Sequence, residues 1–370
     1  MNPRHGPLAA ALIAGLMAAI PAGAGAQISD DIVTRNKAAL AAQAADPKWA
    51  RKATIAEDWA YQLADGVRTR EVYFYVDGGT RLHGKLYLPK GFDPKKKYPG
   101  VVVGHGINAI AIGIEKFANA FAGRGVVAMA IDYQSYGMSD SGSDELMLTE
   151  PDGTTDASTV TEREGRLVIK RTNLNNVHEV DDFRAAISYL QGEPGVDPDR
   201  IGVWATSNGG AVVASLIGVD ARVKAAVIQV MSARPGPRRP VGITGPSLDD
   251  AIKRVNSGQG GETEAGFSFP TLVDRYYQQR NRDVNGGATL DQVRPTTKVL
   301  FLPAEKDELI GGNATALAGT EYLKTKGITA QTITFPGLTH FQPYAGAGFQ
   351  VGSILAGDWF VKYLGQAEGR

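Results

Sequence analysis

The stretch with the most chemistry in its residue types is Ile201-Gly202-Val203-Trp204-Ala205-Thr206-Ser207-Asn208-Gly209-Gly210. A short apolar strand runs into a serine flanked by small residues, and an Ala/Val-rich stretch of helical character follows. This is the pattern of a nucleophile elbow, a serine on a tight strand-to-helix turn with its hydroxyl held out at the carboxyl edge of a sheet. Such a turn leaves little room two positions before and after the serine, where Ala205 and Gly209 stand. The N-terminus of the following helix favours negative charge developing nearby. Ser-Asn-Gly-Gly is also ordinary turn chemistry, so the assignment needs a base and an acid elsewhere.

A serine hydroxyl is a weak nucleophile until a histidine takes its proton, and the histidine needs a carboxylate to hold its tautomer. Where an elbow carries the serine, the order along the chain is serine, acid, histidine. Of the five histidines, His5, His83, His105 and His178 precede Ser207 and only His340 follows it. His340 lies directly after the last expected strand, where the base must stand. The acid is expected just past strand 298–302, in Glu305-Lys306-Asp307-Glu308. Asp307 is favoured by its distance from the strand end, with Glu305 and Glu308 as alternatives. Asp132 ends an earlier strand and reads as structural.

A tetrahedral oxyanion needs two preorganised donors. The backbone N–H of Asn208 supplies one. The second is expected from Gly104-His105-Gly106-Ile107-Asn108, the loop after strand 100–103, with the N–H of Ile107 as the choice. Gly106 lets the backbone approach a substrate closely, and His105 reads as a structural histidine.

The elements that must position these groups follow from hydrophobic periodicity. Residues 30–45 and 48–63 have helical spacing. Residues 71–76 and 81–88 are β-rich and joined by Asp77-Gly78-Gly79, a hairpin signal. Strands are then expected at 100–103, 126–131, 201–205, 225–230, 298–302 and 331–335, and helices at 112–123, 177–190, 211–217 and 349–364. Apolar strands alternating with helices imply an α/β fold, a doubly wound and mostly parallel sheet with helices on both faces. Two polar stretches, 139–176 and 234–297, interrupt the alternation and read as lid insertions above the sheet.

Bulk properties narrow the function classes. The chain has 370 residues, a net charge of zero and 43% hydrophobic residues. The length suits one large domain with insertions. Balanced charge gives no electrostatic case for nucleic acid or an anionic membrane. Without cysteine there is no disulfide and no thiolate nucleophile or ligand. No metal or cofactor is expected. Asp249-Asp250 has no histidine nearby, Gly123-Arg124-Gly125 has no helix behind it to cradle phosphate, and Asp181-Asp182 reads as a solvated helix face. Arg4, the apolar run 8–20 and Ala24-Gly25-Ala26 have the form of a signal peptide cleaved after Ala26. The mature protein is therefore expected in the periplasm or the medium, with no stable membrane anchor.

A family resemblance rests on these phrases taken in order. They are Gly104-His105-Gly106, Ala130-Ile131-Asp132-Tyr133 with Tyr136-Gly137 and Ser139, and Asp181-Asp182-Phe183-Arg184-Ala185-Ala186-Ile187. Then come Gly195-Val196-Asp197-Pro198-Asp199-Arg200-Ile201-Gly202, the elbow, and the loops holding Asp307 and His340. About three quarters of the chain resembles the α/β-hydrolase superfamily, in the branch of dienelactone-hydrolase-like proteins, acetyl xylan esterases and Xaa-Pro dipeptidyl-peptidase-like hydrolases. The resemblance implies that Ser207, Asp307 and His340 are nucleophile, acid and base. Together with the leader pattern and the helical spacing, this divides the chain into a signal peptide (1–26), an N-terminal helical segment (27–69) and a hydrolase domain (70–370). Two departures stand out. Dienelactone hydrolases proper use cysteine, and Ala205 occupies the place of the usual glycine.

The expected activity is hydrolysis of a small or polymer-derived carboxylic ester through an acyl-enzyme. The alternative is a peptidase or amidase on the same triad. A peptidase that trims amino ends needs acidic lid residues, whereas the second insertion opens with Arg234, Arg238 and Arg239. Trp49, Trp59, Phe267, Phe269, Tyr276 and Tyr277 are candidates to line an acyl pocket, with core packing as the commoner role.

Overall fold

Runs of Val, Ile and Ala too apolar for a sheet with a wet face require cover on both sides. That is the architecture found. The protein is described by a computed structural model over residues 28–47, 60–107, 109–141, 146–148, 167–169, 176–231, 261–262, 268–269 and 290–365. The strands are β1 (Arg68–Tyr75), β2 (Arg81–Leu88), β3 (Tyr98–Gly104), β4 (Val127–Ile131), β5 (Val196–Thr206), β6 (Val223–Gln229), β7 (Lys298–Leu302) and β8 (Ala330–Thr332). They form one eight-stranded sheet in the order β1-β2-β4-β3-β5-β6-β7-β8. Only β2 runs against its neighbours; from β4 to β8 every pairing is parallel. Every residue of β3 and β4 is buried.

The helices are α1 (Asp31–Arg35), α2 (Lys37–Ala45), α3 (Glu115–Ala122), α4 (Asn176–Gly192), α5 (Asn208–Val219), α6 (Ala314–Thr325) and α7 (Gly346–Leu364). One apolar cluster packs α4, α5 and α6 on one face of the sheet, through Phe183, Val212 and Leu323. A second packs α2, α3 and α7 on the other, through Leu40, Phe117 and Trp359. Central helix α5 is buried along most of its length.

The expected strands, and the expected helices other than the one over 48–63, whose described residues 60–63 are not helical, are present with boundaries shifted by a few residues. The expected turn at Asp77 joins β1 to β2, with Gly78 and Gly79 both at φ 82°. The 30–45 helix is two helices broken at Asn36, and the 112–123 helix starts only at Glu115, after a tight turn at Ala111–Gly113. The last strand ends early, at Thr332, and Phe335 makes a single bridge to Ala304. Helix α6 was not expected, because its small and polar residues carry a weak apolar stripe. The leader, residues 48–59, Trp49 and Trp59, and most of both insertions with Phe267, Tyr276 and Tyr277 lie outside the described residues. Within the insertions, Leu146–Leu148 pairs with Leu167–Ile169, and Gly261–Glu262 pairs with Ser268–Phe269, both antiparallel. Among the described residues no helix is long and apolar enough to cross a membrane.

Candidate active site

Ser207 is the one residue between the end of β5 and the start of α5, with φ 53° and ψ −131°. A non-glycine residue in this region is strained, and the surroundings must hold it there. They do so from both sides. The Ser207 N–H donates to the Gln229 carbonyl at 3.0 Å, tying the turn to β6. Behind it, a Cβ on Gly209 would lie 2.2 Å from the His105 carbonyl oxygen, so only glycine fits two residues after the serine. Two residues before it the demand is weaker. Ala205 lies inside the sheet between Gly104 and Ile228, and its methyl is accommodated.

The structure brings Ser207, His340 and Asp307 into one hydrogen-bonded chain. His340 Nε2 lies 2.9 Å from Ser207 Oγ, and His340 Nδ1 lies 2.8 Å from Asp307 Oδ2. Both His340 and Asp307 are almost fully buried. The other carboxylate oxygen, Asp307 Oδ1, accepts the N–H groups of Leu309 at 3.0 Å and Ile310 at 3.1 Å. Neither alternative acid stands at the imidazole nitrogen. Glu305 accepts the Gly337 N–H at 2.7 Å, and Glu308 accepts the backbone N–H of His340 at 3.0 Å. Helix α2 braces the histidine loop from behind. The Gln43 amide donates to the carbonyls of Gln342 and Ala345 at 2.9 and 3.1 Å, and its oxygen accepts the Gly348 N–H.

The expected oxyanion loop runs beside the serine. A Cβ on Gly106 would sit 3.1 Å from Ser207 Cβ, so the backbone that continues into Ile107 passes against the candidate nucleophile. Asn208 opens α5, and its side-chain amide donates to Glu179 at 3.0 Å and Asn176 at 3.2 Å on α4. His105 is a brace for this loop. Its Nδ1 lies 2.9 Å from the Gly106 carbonyl, so that nitrogen carries the proton, and Nε2 faces the Tyr133 N–H at 3.4 Å. The Tyr133 hydroxyl donates to the His105 carbonyl at 3.1 Å.

Burial pushes the His105 imidazole down to about 4, against the smaller opposing effects of the Gly106 carbonyl and the Asp132 charge. Unfolded, it titrates at its ordinary 6.5. Below pH 6.5 the unfolded chain therefore binds a proton that the folded protein refuses until about pH 4. This site should remove up to about 3 kcal/mol of stability across that interval and no more below it. His105→Asn has no such group. Its deficit relative to wild type in urea unfolding should shrink as pH falls from 7 to 4.5. A deficit constant with pH would contradict a neutral, buried His105.

Asp132 is structural in its contacts. Oδ1 accepts the Ala111 N–H at 2.7 Å, while Oδ2 accepts the Met138 N–H and meets His83 Nδ1 at 2.7 Å. One expectation is corrected. Asp182 is no solvated residue but fully buried, accepting the backbone and side-chain N–H groups of Gln134 at 3.0 and 2.9 Å. Helical spacing could not reveal that α4 turns this residue inward. Sequence reasoning also missed Tyr344, whose hydroxyl accepts a hydrogen bond from Thr206 at 2.7 Å beside Ser207. Its one signal was its place four residues beyond His340. Among the described residues no cluster of three metal-ligating side chains occurs.

Two families match overlapping parts of this chain. The one described as BAAT / acyl-CoA thioester hydrolase C terminal matches residues 178–347, and acetyl xylan esterase matches residues 55–231. The first match spans the elbow and both late loops. The second spans the strands leading to the elbow. The chain belongs to the α/β-hydrolase superfamily. Thiohydrolase aneE of Aspergillus aculeatus is 27% identical over 155 residues, 42% of this chain and 39% of the relative. This α/β-hydrolase thus spans about two fifths of that relative's length. In fold it resembles DcsB, solved with its substrate analogue, at a TM-score of 0.57 and 17% identity, covering 80% of this chain and 99% of DcsB. It also resembles esterase 2 of Thermogutta terrifontis, at a TM-score of 0.53 and 17% identity, covering 81% and 96%.

Proposed function

We propose that this α/β-hydrolase is an exported serine hydrolase that cleaves carboxylic esters through an acyl-enzyme. The observation that carries the reading is the Ser207–His340–Asp307 chain, anchored at a serine in a strained backbone conformation. His340 Nε2 takes the Ser207 proton as Oγ attacks the ester carbonyl. The carbonyl electrons move onto its oxygen, which accepts hydrogen bonds from the N–H groups of Asn208 and Ile107. The imidazolium, held by Asp307, then protonates the departing alcohol. Water repeats the sequence on the acyl-enzyme, with His340 as base and the Ser207 oxygen as leaving group. Export rests on the leader pattern of residues 4–26.

A thioester substrate is the second reading, supported by the match of residues 178–347 to the acyl-CoA thioester hydrolase family. The same triad suffices, because a thiolate leaves with less help from an acid than an alkoxide needs. An amide asks most of the machinery, because its amine must be protonated to leave. A panel of short-chain p-nitrophenyl esters, matched acyl thioesters and aminoacyl anilides tests the reading. Oxygen esters are expected to have the highest kcat/KM, with anilides at least about 100-fold lower, a difference of roughly 3 kcal/mol in the barrier. Anilides turned over faster than esters would replace the ester reading with a peptidase one. A large thioester preference would shift it to the second reading.

A further inference from the structure

His83, on β2, is a buried titratable group that the scheme above leaves unused. Both nitrogens of its imidazole face a carboxylate. Nδ1 lies 2.7 Å from Asp132 Oδ2, just past the end of β4, and Nε2 lies 2.7 Å from Glu71 Oε2 on β1. A neutral imidazole has one N–H and can donate to only one of them. Asp132 already accepts the N–H groups of Ala111 and Met138, and Glu71 is half-exposed with Lys85 Nζ 3.6 Å away. Both carboxylates are therefore acceptors, and both nitrogens of His83 carry protons. The side chain is an imidazolium only 5% exposed. The Asp132 that it holds is the post to which the oxyanion loop is tied. The loop leaves the sheet at Gly104, passes Gly106 and Ile107, and is caught at Ala111, whose N–H donates to Asp132 Oδ1 at 2.7 Å. The following turn closes around the same carboxylate. Met138 donates its N–H to Oδ2 at 3.2 Å, and a Cβ on Gly137 would overlap the carboxylate. Ser139 Oγ accepts the His83 N–H at 2.9 Å and donates to the Asp132 carbonyl at 2.7 Å.

We propose that His83 is a positioning residue for the oxyanion hole: as an imidazolium it fixes Asp132, and Asp132 fixes the connection that carries the Ile107 N–H. The proposal rests on Ser207 being the nucleophile and Ile107 a donor to the oxyanion. His83 itself touches no reacting atom. Burial works against its charge, but the hydrogen bonds to Asp132 and Glu71, and then their charges, outweigh it, so His83 titrates above its ordinary 6.5. The brace is therefore complete below pH 6.5 and is lost as pH rises through the raised value. One ring nitrogen then turns from donor to acceptor and faces a carboxylate with no proton between them. Among the described residues, other charged or titratable groups around this cluster are Tyr73, Arg81, Lys85, Glu115 and His105. The Tyr73 ring stands beside the imidazole, and Arg81 lies over it and pairs with Asp140. Lys85 lies between Glu71 and Glu115, 3.0 Å from the latter. His105, on the far side of Asp132, is neutral above about pH 4.

The test pairs the pH profile of ester kcat with the affinity for a trifluoromethyl ketone. Ser207 Oγ bonds to the ketone carbon, the carbonyl electrons move onto oxygen, and His340 takes the serine proton, so the adduct's oxyanion sits where the ester's would. Wild-type kcat should fall on the alkaline side as His83 loses its proton. Glu71→Gln removes one charge at a half-exposed position and leaves Nε2 an acceptor. It should move that alkaline limb about one pH unit lower, in kcat and in ketone affinity alike. His83→Gln should lower both by about tenfold to hundredfold at pH 6.5, less than the roughly hundredfold to thousandfold that a whole oxyanion donor contributes, with ester KM within about threefold. Histidine ¹⁵N resonances of the full chain read the charge directly. The two ring nitrogens of His83, identified by their loss in His83→Gln or their shift in Glu71→Gln, should both carry protons at pH 7. If His83→Gln fails to fold, the Glu71→Gln profile and the ¹⁵N spectrum decide. A packing role for His83 would leave the alkaline limb of Glu71→Gln where wild type has it. That result, or a neutral His83 at pH 7, overturns the proposal. A wild-type protein that neither turns over esters nor forms the ketone adduct overturns the nucleophile assignment, and the positioning role with it.

Discussion

Ser207→Ala is expected to lower kcat on short-chain esters by about 10⁴- to 10⁶-fold while leaving the fold intact. The upper figure is what loss of a nucleophile costs when serine, base and acid act as one unit. Residual turnover would come from the oxyanion donors and substrate positioning alone. The fold should survive because the change removes one oxygen from a half-buried side chain. Ser207 is held by its backbone N–H to Gln229, and among the described residues the hydrogen-bond partner of its side chain is His340. The checks are steady-state kinetics together with circular dichroism and the urea midpoint. His340→Ala should fail as badly, and the variant with both changes should be no worse than either alone. Activity within tenfold of wild type in Ser207→Ala would remove Ser207 from the reaction.

Asp307→Asn carries the second large effect, and the hydrogen bonds around Asp307 set its direction. Oδ1 accepts two backbone N–H groups, from Leu309 and Ile310. An asparagine must keep its carbonyl oxygen at that position, because its NH₂ cannot accept there. The amide NH₂ is then forced to face His340 Nδ1. A donor at Nδ1 selects the tautomer with the proton on Nε2, and Nε2 can no longer accept the proton of Ser207. The expected loss in kcat is about 10⁴-fold with little change in KM, the size seen when a triad carboxylate is replaced by its amide. Glu305→Gln is the matched control. Its carboxylate holds the Gly337 N–H on the protein surface, and kcat should stay within about threefold. A larger loss in Glu305→Gln than in Asp307→Asn would reassign the acid.

How far the sequence could be read depended on what each feature requires. The strands were legible because strands covered on both faces are apolar without interruption, as in Val101, Val102 and Val103. The serine and histidine were legible because chain order left His340 alone after Ser207. The choice among Glu305, Asp307 and Glu308 was harder. Three carboxylates within four residues share one composition, and only the closure of the loop decides which one meets the imidazole. Gly209 was legible as a glycine of the turn, but its cause, the His105 carbonyl 2.2 Å from a would-be Cβ, lies a hundred residues earlier in the chain. Asp182 was misread because the helical pattern around it is shallow and its partner Gln134 belongs to a different loop. Tyr344 left a single signal, its place four residues beyond His340. Its closeness to Ser207 arises from the tight turn after His340 and from helix α2, whose Gln43 pins that turn.

The ester panel and the losses expected in Ser207→Ala and Asp307→Asn all depend on one claim, that Ser207 carries the acyl group. The direct measurement is peptide-resolved mass spectrometry of the protein quenched in acid during turnover of a slowly hydrolysed p-nitrophenyl ester. The expected result is one acyl group per chain, located on Ser207, absent from Ser207→Ala and accumulating in step with the burst of p-nitrophenol. Turnover at full rate with Ser207 unmodified, or the acyl group found on another residue, would contradict the mechanism.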